Sequence, residues 1–125
     1  MKRPYLIVWC IAGAASGLFL MSCSKESEVD AAPPLEESFQ SAEPEVQQAI
    51  ETVTTSLRAG EYAEATRALE PIVSDRPLTV EQKRAVGVAL QQINQAVAAD
   101  PALDTKEMYD LRAKMFRAVH SGPRF

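Results

Sequence analysis

From Val46 onward, apolar residues recur at steps of three and four, the spacing that puts side chains on one face of an α-helix. Val46, Ile50, Val53 and Leu57 form the first such stripe, with Ser41 as the expected N-cap, Pro44 in the first turn and Gly60 as the terminator. A second helix is predicted from about Glu61 to Ser74, carrying Tyr62, Ala65, Leu69 and Ile72 or Val73 inward. Pro71 predicts a kink or an early end there, and Arg76-Pro77 closes the element. The third helix opens on a capping box, Thr79-Val80-Glu81-Gln82, presents Val86, Ala89, Leu90, Ile93 and Val97, and stops before Asp100-Pro101. Gly87 inside it costs about 1 kcal/mol relative to alanine, which predicts a close helix–helix approach. The fourth begins near Asp104 or Thr105, turns Met108, Leu111, Met115 and Val119 inward with Phe116 on a shoulder, and ends at Ser121-Gly122-Pro123. The expected fold is all-α: a small four-helix domain over 42–125, made of two helical hairpins because the Gly60 break is too short for anything but antiparallel neighbours.

The region ahead of these stripes has two other patterns. Lys2 and Arg3 precede an uninterrupted apolar stretch from Tyr5 to Met21, the charged and hydrophobic parts of a signal peptide. That stretch ends in Leu20-Met21-Ser22-Cys23, which resembles the lipobox of bacterial lipoproteins. The resemblance implies that residues 1–22 are a signal peptide, that Leu20, Met21 and Ser22 are read by the cleaving protease, and that Cys23 takes a diacylglycerol by thioether linkage. Two or more acyl chains suit a stable anchor, since each buried CH₂ contributes roughly 0.8 kcal/mol and one chain holds a protein only marginally. By the same resemblance Ser24, standing where many inner-membrane lipoproteins carry Asp, implies sorting to the periplasmic face of the outer membrane in a Gram-negative host. The competing readings are an uncleaved anchor, for which about 20 apolar residues are the norm, and an ordinary secretory peptide.

From Ser24 to Gln40 the chain is Ser, Glu, Ala and Pro, with Pro33-Pro34 and only isolated apolar residues at Val29, Leu35 and Phe39. Such a composition predicts a disordered acidic tether over 23–41, kept extended by Glu26, Glu28, Asp30, Glu36 and Glu37 and reaching roughly 25 Å.

Charge and chemistry narrow the function. The chain carries 13 basic and 17 acidic side chains, and loss of Lys2 and Arg3 on cleavage makes it more acidic still, which speaks against nucleic acid as a partner. Cleavage removes Cys10 and lipidation consumes Cys23, so neither a disulfide nor a thiolate site is expected. His120 is the one histidine, so metal sets built on paired histidines cannot form within one chain, and its place at a helix end suits the dipole. Glu61 and Glu64 are better explained as dipole partners than as an acid/base pair. With no nucleophile elbow, phosphate loop or calcium loop in the sequence, no enzyme, metal or cofactor is expected.

The run Gly60-Glu61-Tyr62-Ala63-Glu64-Ala65-Thr66-Arg67-Ala68-Leu69, with Pro77 beyond it, resembles the turn and second helix of a single tetratricopeptide repeat over about Val46 to Pro77. Ala49, Thr52-Val53 and Ser56 depart from that family's first helix, and no second copy follows Thr79. The resemblance implies a hairpin that docks a protein or peptide. Tyr62, Tyr109 and Phe116 are the residues that could line such a partner groove, since aromatics are common interface anchors, against the plainer expectation that they fill the core. The reading is a noncatalytic, lipid-anchored interaction protein of the bacterial envelope. A structural component that self-associates into a homo-oligomer is the alternative, since a domain of this size has a marginal core.

Overall fold

The computed structural model describes residues 29 to 122, and every described element is helical. The expected signal peptide, the lipobox-like run and Cys23 lie outside the described residues, as does the end of the chain from Pro123. The described residues form five α-helices rather than four: α1 (Ala32–Ser38), α2 (Pro44–Arg58), α3 (Tyr62–Asp75), α4 (Val80–Ala99) and α5 (Lys106–His120), with a 3₁₀ turn at Pro101–Leu103. Among the described residues no helix is long and apolar enough to cross a membrane.

The additional helix corrects the tether. Ala31, Ala32 and Leu35 are fully buried and Phe39 is 1% exposed, so the chain belongs to the folded unit from Ala31, not from residue 42. Physically, Pro33 and Pro34 fall in the first turn, where a missing N–H costs nothing because those donors have no intrahelical partner. Asp30 Oδ1, one residue before the N-cap Ala31, accepts the Ala32 N–H at 3.1 Å and so satisfies one of that turn's free donors. Helical spacing then brings Ala31, Leu35 and Phe39 to one side, and burying the two large side chains contributes about 1.5–3 kcal/mol each.

Two glutamines of α4 hold the ends of α1. Gln92 Oε1 accepts the Ala31 N–H at 2.9 Å, while Gln82 Nε2 donates to the Ser38 carbonyl at 3.3 Å. The later residue of α1 meets the earlier residue of α4, so the two helices run antiparallel. Gln82 has a second role in the expected capping box: its Oε1 accepts the Thr79 N–H at 3.0 Å and Thr79 Oγ1 accepts the Gln82 N–H at 3.1 Å.

The helices pack in a closed circuit. α1 lies against α2 and α4, α2 against α3, α3 against α5, and α5 back against α4, with α3 and α4 barely touching. Inside sit the predicted stripes: Val46, Ile50, Val53 and Leu57 of α2, Ala65, Leu69, Ile72 and Val73 of α3, Val86, Ala89, Leu90, Ile93 and Val97 of α4, and Met108 with Met115 of α5. Leu111 and Val119 are only half-buried.

Three local expectations change. Glu43 rather than Ser41 precedes the first turn of α2, because Pro44 at the first helical position drives its predecessor to an extended backbone, ψ 150° at Glu43. α3 runs through Pro71 to Asp75 instead of ending early. Pro71 and Arg67, whose carbonyl loses its i+4 donor, are both exposed residues, on the side of the helix where water can replace that bond. Gly87 is approached less closely than expected, since a Cβ there would meet only Val119 Cγ1, at an ordinary 3.7 Å. Gly60, at φ +77°, does make the turn between α2 and α3 in a conformation that favours glycine.

Candidate interaction surface

α5 has one sunken and one open face. Met108 and Met115 anchor the first, while Tyr109 and Phe116, two turns apart on the second, are 62% and 53% exposed. Thr105 starts this helix by accepting the Met108 N–H at 3.1 Å. Arg112 then fixes the helix to α4, donating to Asn94 Oδ1 at 2.9 Å and to Asp104 Oδ1 at 2.8 Å.

Near the end of α5 the Phe116 ring stacks on His120 with centroids 4.0 Å apart. His120 Nδ1 lies 2.9 Å from the Phe116 carbonyl, which can only accept, so Nδ1 carries the proton. The pair forms one wall of a shallow, largely apolar groove of about 410 Å³ against Gly87, Gln91, Asn94 and Ala98 of α4.

Of the three aromatic residues that could line a groove, Phe116 and Tyr62 border different depressions. Tyr62 is half-buried against the core and borders a different depression, of about 540 Å³, with Arg58, Gly60 and Gln92. Neither depression holds a second member of the trio. Tyr109 and Phe116 share the outer face of α5, whereas Tyr62 sits where α3 leaves its turn.

The charged residues of α3 and α5 pair across the helix boundary. Arg67 reaches both Glu107 and Glu64, and the hydrogen bond it donates to the Glu107 carboxylate raises its pKa. Lys114 lies 3.1 Å from Glu70, and its hydrogen bond, with that of Ser74, holds the Glu70 carboxyl below the usual carboxylate range. Lys106 is raised by Asp110 one turn along. All are solvent-accessible and contribute little each, but they occupy Glu64 and Glu107 in ion pairs. Among the described residues no group of three or more His, Cys, Asp or Glu side chains is placed to hold a metal.

Two features went unread in the sequence. One is a depression of about 460 Å³ between α1 and α2, crossed by the Arg58–Glu36 ion pair at 2.9 Å, which exists only because α1 is folded. The other is the outer side of α4. Its signal was present: Ala85 to Ala99 contains no charged residue. Comparison with family models, curated proteins and solved structures gives no match to this chain.

Proposed function

We propose that this chain is a noncatalytic lipoprotein of the bacterial envelope, anchored by lipid on Cys23, whose helical domain mediates protein–protein interaction. The observation that carries the reading is the exposure of Phe116 and Tyr109 on a helix whose opposite face is buried. Large aromatics held rigidly at a surface supply contact area at low entropic cost and are frequent binding anchors. In a Gram-negative host the protein would stand on the periplasmic face of the outer membrane, as the residues after the apolar stretch imply.

The tetratricopeptide-like reading of α2 and α3 is part of the proposal. The positive φ of Gly60 and the complete burial of Ala65 and Leu69 between packed helices support it. Tyr62, half-buried, serves that packing more than recognition.

Capture from crosslinked membranes tests the function, comparing the native chain with Phe116→Ala and Tyr109→Ala. Loss of the captured protein from both variants, with unchanged helical signal and melting, is the expected result. Retention of all captured proteins by the double variant would refute the assignment of the site to α5. Intact mass tests the anchor: an N-terminus at Met1, or unmodified Cys23, would overturn it.

A further inference from the structure

The outer side of α4 is organised in a way that selects its occupant. Gly87, Gln91, Asn94 and Ala98 are spaced four, three and four apart, so they form one stripe along the helix. Gln91, Asn94 and Ala98 are exposed and Gly87 is half-buried. Read in either direction, this stripe is small, amide, amide, small. Its spacing is also the same in both directions, about a midpoint between Gln92 and Ile93.

In an antiparallel pair of identical helices crossed at that midpoint, Gly87 faces Ala98 of the other copy and Gln91 faces Asn94. Small residues then meet at both ends, where they let the backbones approach, and amides meet in the middle. An amide both donates and accepts, so amides of two copies can bond to each other, which two carboxylates or two ammonium groups cannot do; Asn94 Oδ1 already accepts from Arg112, and its Nδ2 is the group that donates to Gln91 Oε1 of the other copy. One turn nearer the start of α4 is Arg84, and the same crossing brings it to the far end of the other copy's α4, where Asp100 follows directly on Ala99. Both Arg84 and Asp100 are exposed, and neither enters an ion pair among the described residues. Each end of the pair would therefore gain an Arg–Asp contact.

We propose that this face of α4 pairs with a second copy of the same chain, antiparallel and about a two-fold axis through the Gln91–Asn94 region. Two-fold interfaces require a surface complementary to itself, and this stripe has that property in size, hydrogen bonding and terminal charge. Net charge points the same way: copies that are each acidic, −4 over the full sequence and more so without Lys2 and Arg3, meet least repulsion along the Ala85–Ala99 stretch, which has no charged side chain. Phe116 and His120, walling the same groove, add apolar area beside the helix pair. The inference rests on the interaction reading above and names its partner. Lipid anchoring would strengthen the contact, since two copies confined to one membrane meet at a raised effective concentration.

The register can be read by crosslinking the full chain in its membrane with a short bis-maleimide. Near the axis, position 94 of one copy is displaced from position 94 of the other by three residues, about 4.5 Å along the helix, whereas position 98 is displaced by eleven, about 16 Å. Asn94→Cys and Gln91→Cys should each give a crosslinked dimer. Ala98→Cys and Gly87→Cys should each give little alone but a dimer when the two are co-expressed. Absence of product from both Asn94→Cys and Gln91→Cys would overturn the proposal, and so would equal product from Ala98→Cys alone, which signals another register or another partner. Product in the unaltered chain reports a free Cys10 or Cys23 and counts against the lipid anchor only. The stripe is then read in a background of Cys10→Ala and Cys23→Ser.

Discussion

Truncating Phe39 to alanine separates a tether residue from a core residue. In a tether the change would alter stability by no more than about 0.5 kcal/mol, as surface substitutions do. In the fold described above Phe39 is 1% exposed and packs with Leu35 beneath α2 and α4. Removing a buried phenyl ring costs about 3–5 kcal/mol, from lost transfer energy and the cavity left behind. A domain this size is stable by only about 5–15 kcal/mol, so the variant should remain folded but lose a large share of its margin. Urea titration of the chain from Ser24 onward, followed by far-ultraviolet circular dichroism, measures this directly. With a slope of about 2 kcal/mol per molar, the midpoint should fall by roughly 1.5–2.5 M. Glu37→Ala, exposed on the same helix, is the control and should leave the midpoint nearly unchanged. A loss below about 1 kcal/mol for Phe39→Ala would refute the assignment of α1 to the core.

Gly87→Ala should raise stability by about 0.5–1 kcal/mol, because the new methyl meets only Val119 at 3.7 Å while the unfolded chain loses freedom; a lowered urea midpoint would mean that α4 and α5 cannot accommodate it. Gln82→Ala should cost more than the roughly 1 kcal/mol of an ordinary cap, since it also removes the donor to the Ser38 carbonyl. Thr79→Ala, which removes only the cap, is the comparison, and equal losses would show that the tie to α1 contributes nothing. The depressed Glu70 carboxyl binds its proton more weakly folded than unfolded, so its contribution is present above the ordinary carboxylate range and is lost as pH falls through the lowered folded value. Glu70→Gln should therefore flatten the acid side of the stability curve, by less than about 1 kcal/mol for so accessible a pair, and an unchanged curve would contradict the Lys114 contact.

The longer helices were legible because each carries its own evidence. Four apolar stripes at helical spacing, the Thr79–Gln82 capping box, the Thr105 cap and Gly60 are local signals, and local signals survive without knowledge of the partners. α1 was obscured because composition over a window outweighed position within it: two prolines and several acids masked Ala31, Leu35 and Phe39, which have the same spacing as the longer stripes. The aromatic residues could be chosen by type but not sorted by face. Whether Tyr62 or Phe116 reaches solvent depends on where α5 rests against α3 and α4, and that is a tertiary fact. The outer stripe of α4 is hard to see in the sequence for a related reason: apolar periodicity marks the buried side of a helix, and the amide side carries no such mark.

That α1 closes the circuit has a consequence for the order of events as the chain is made. Among the described helices its residues emerge first, yet the glutamines that hold its ends lie 61 and 44 positions later. Until α4 follows, Leu35 and Phe39 can find only α2, which leaves part of their apolar surface bare. The entropic cost of the long closure is small, since doubling a loop adds only about 0.6 kcal/mol. The delay is the larger matter, because distant contacts form late and leave sticky surface exposed in the interval. A nascent chain of this protein is thus most vulnerable to aggregation and proteolysis at α1, and it becomes safe only when α4 has docked against a helix made before the other described ones.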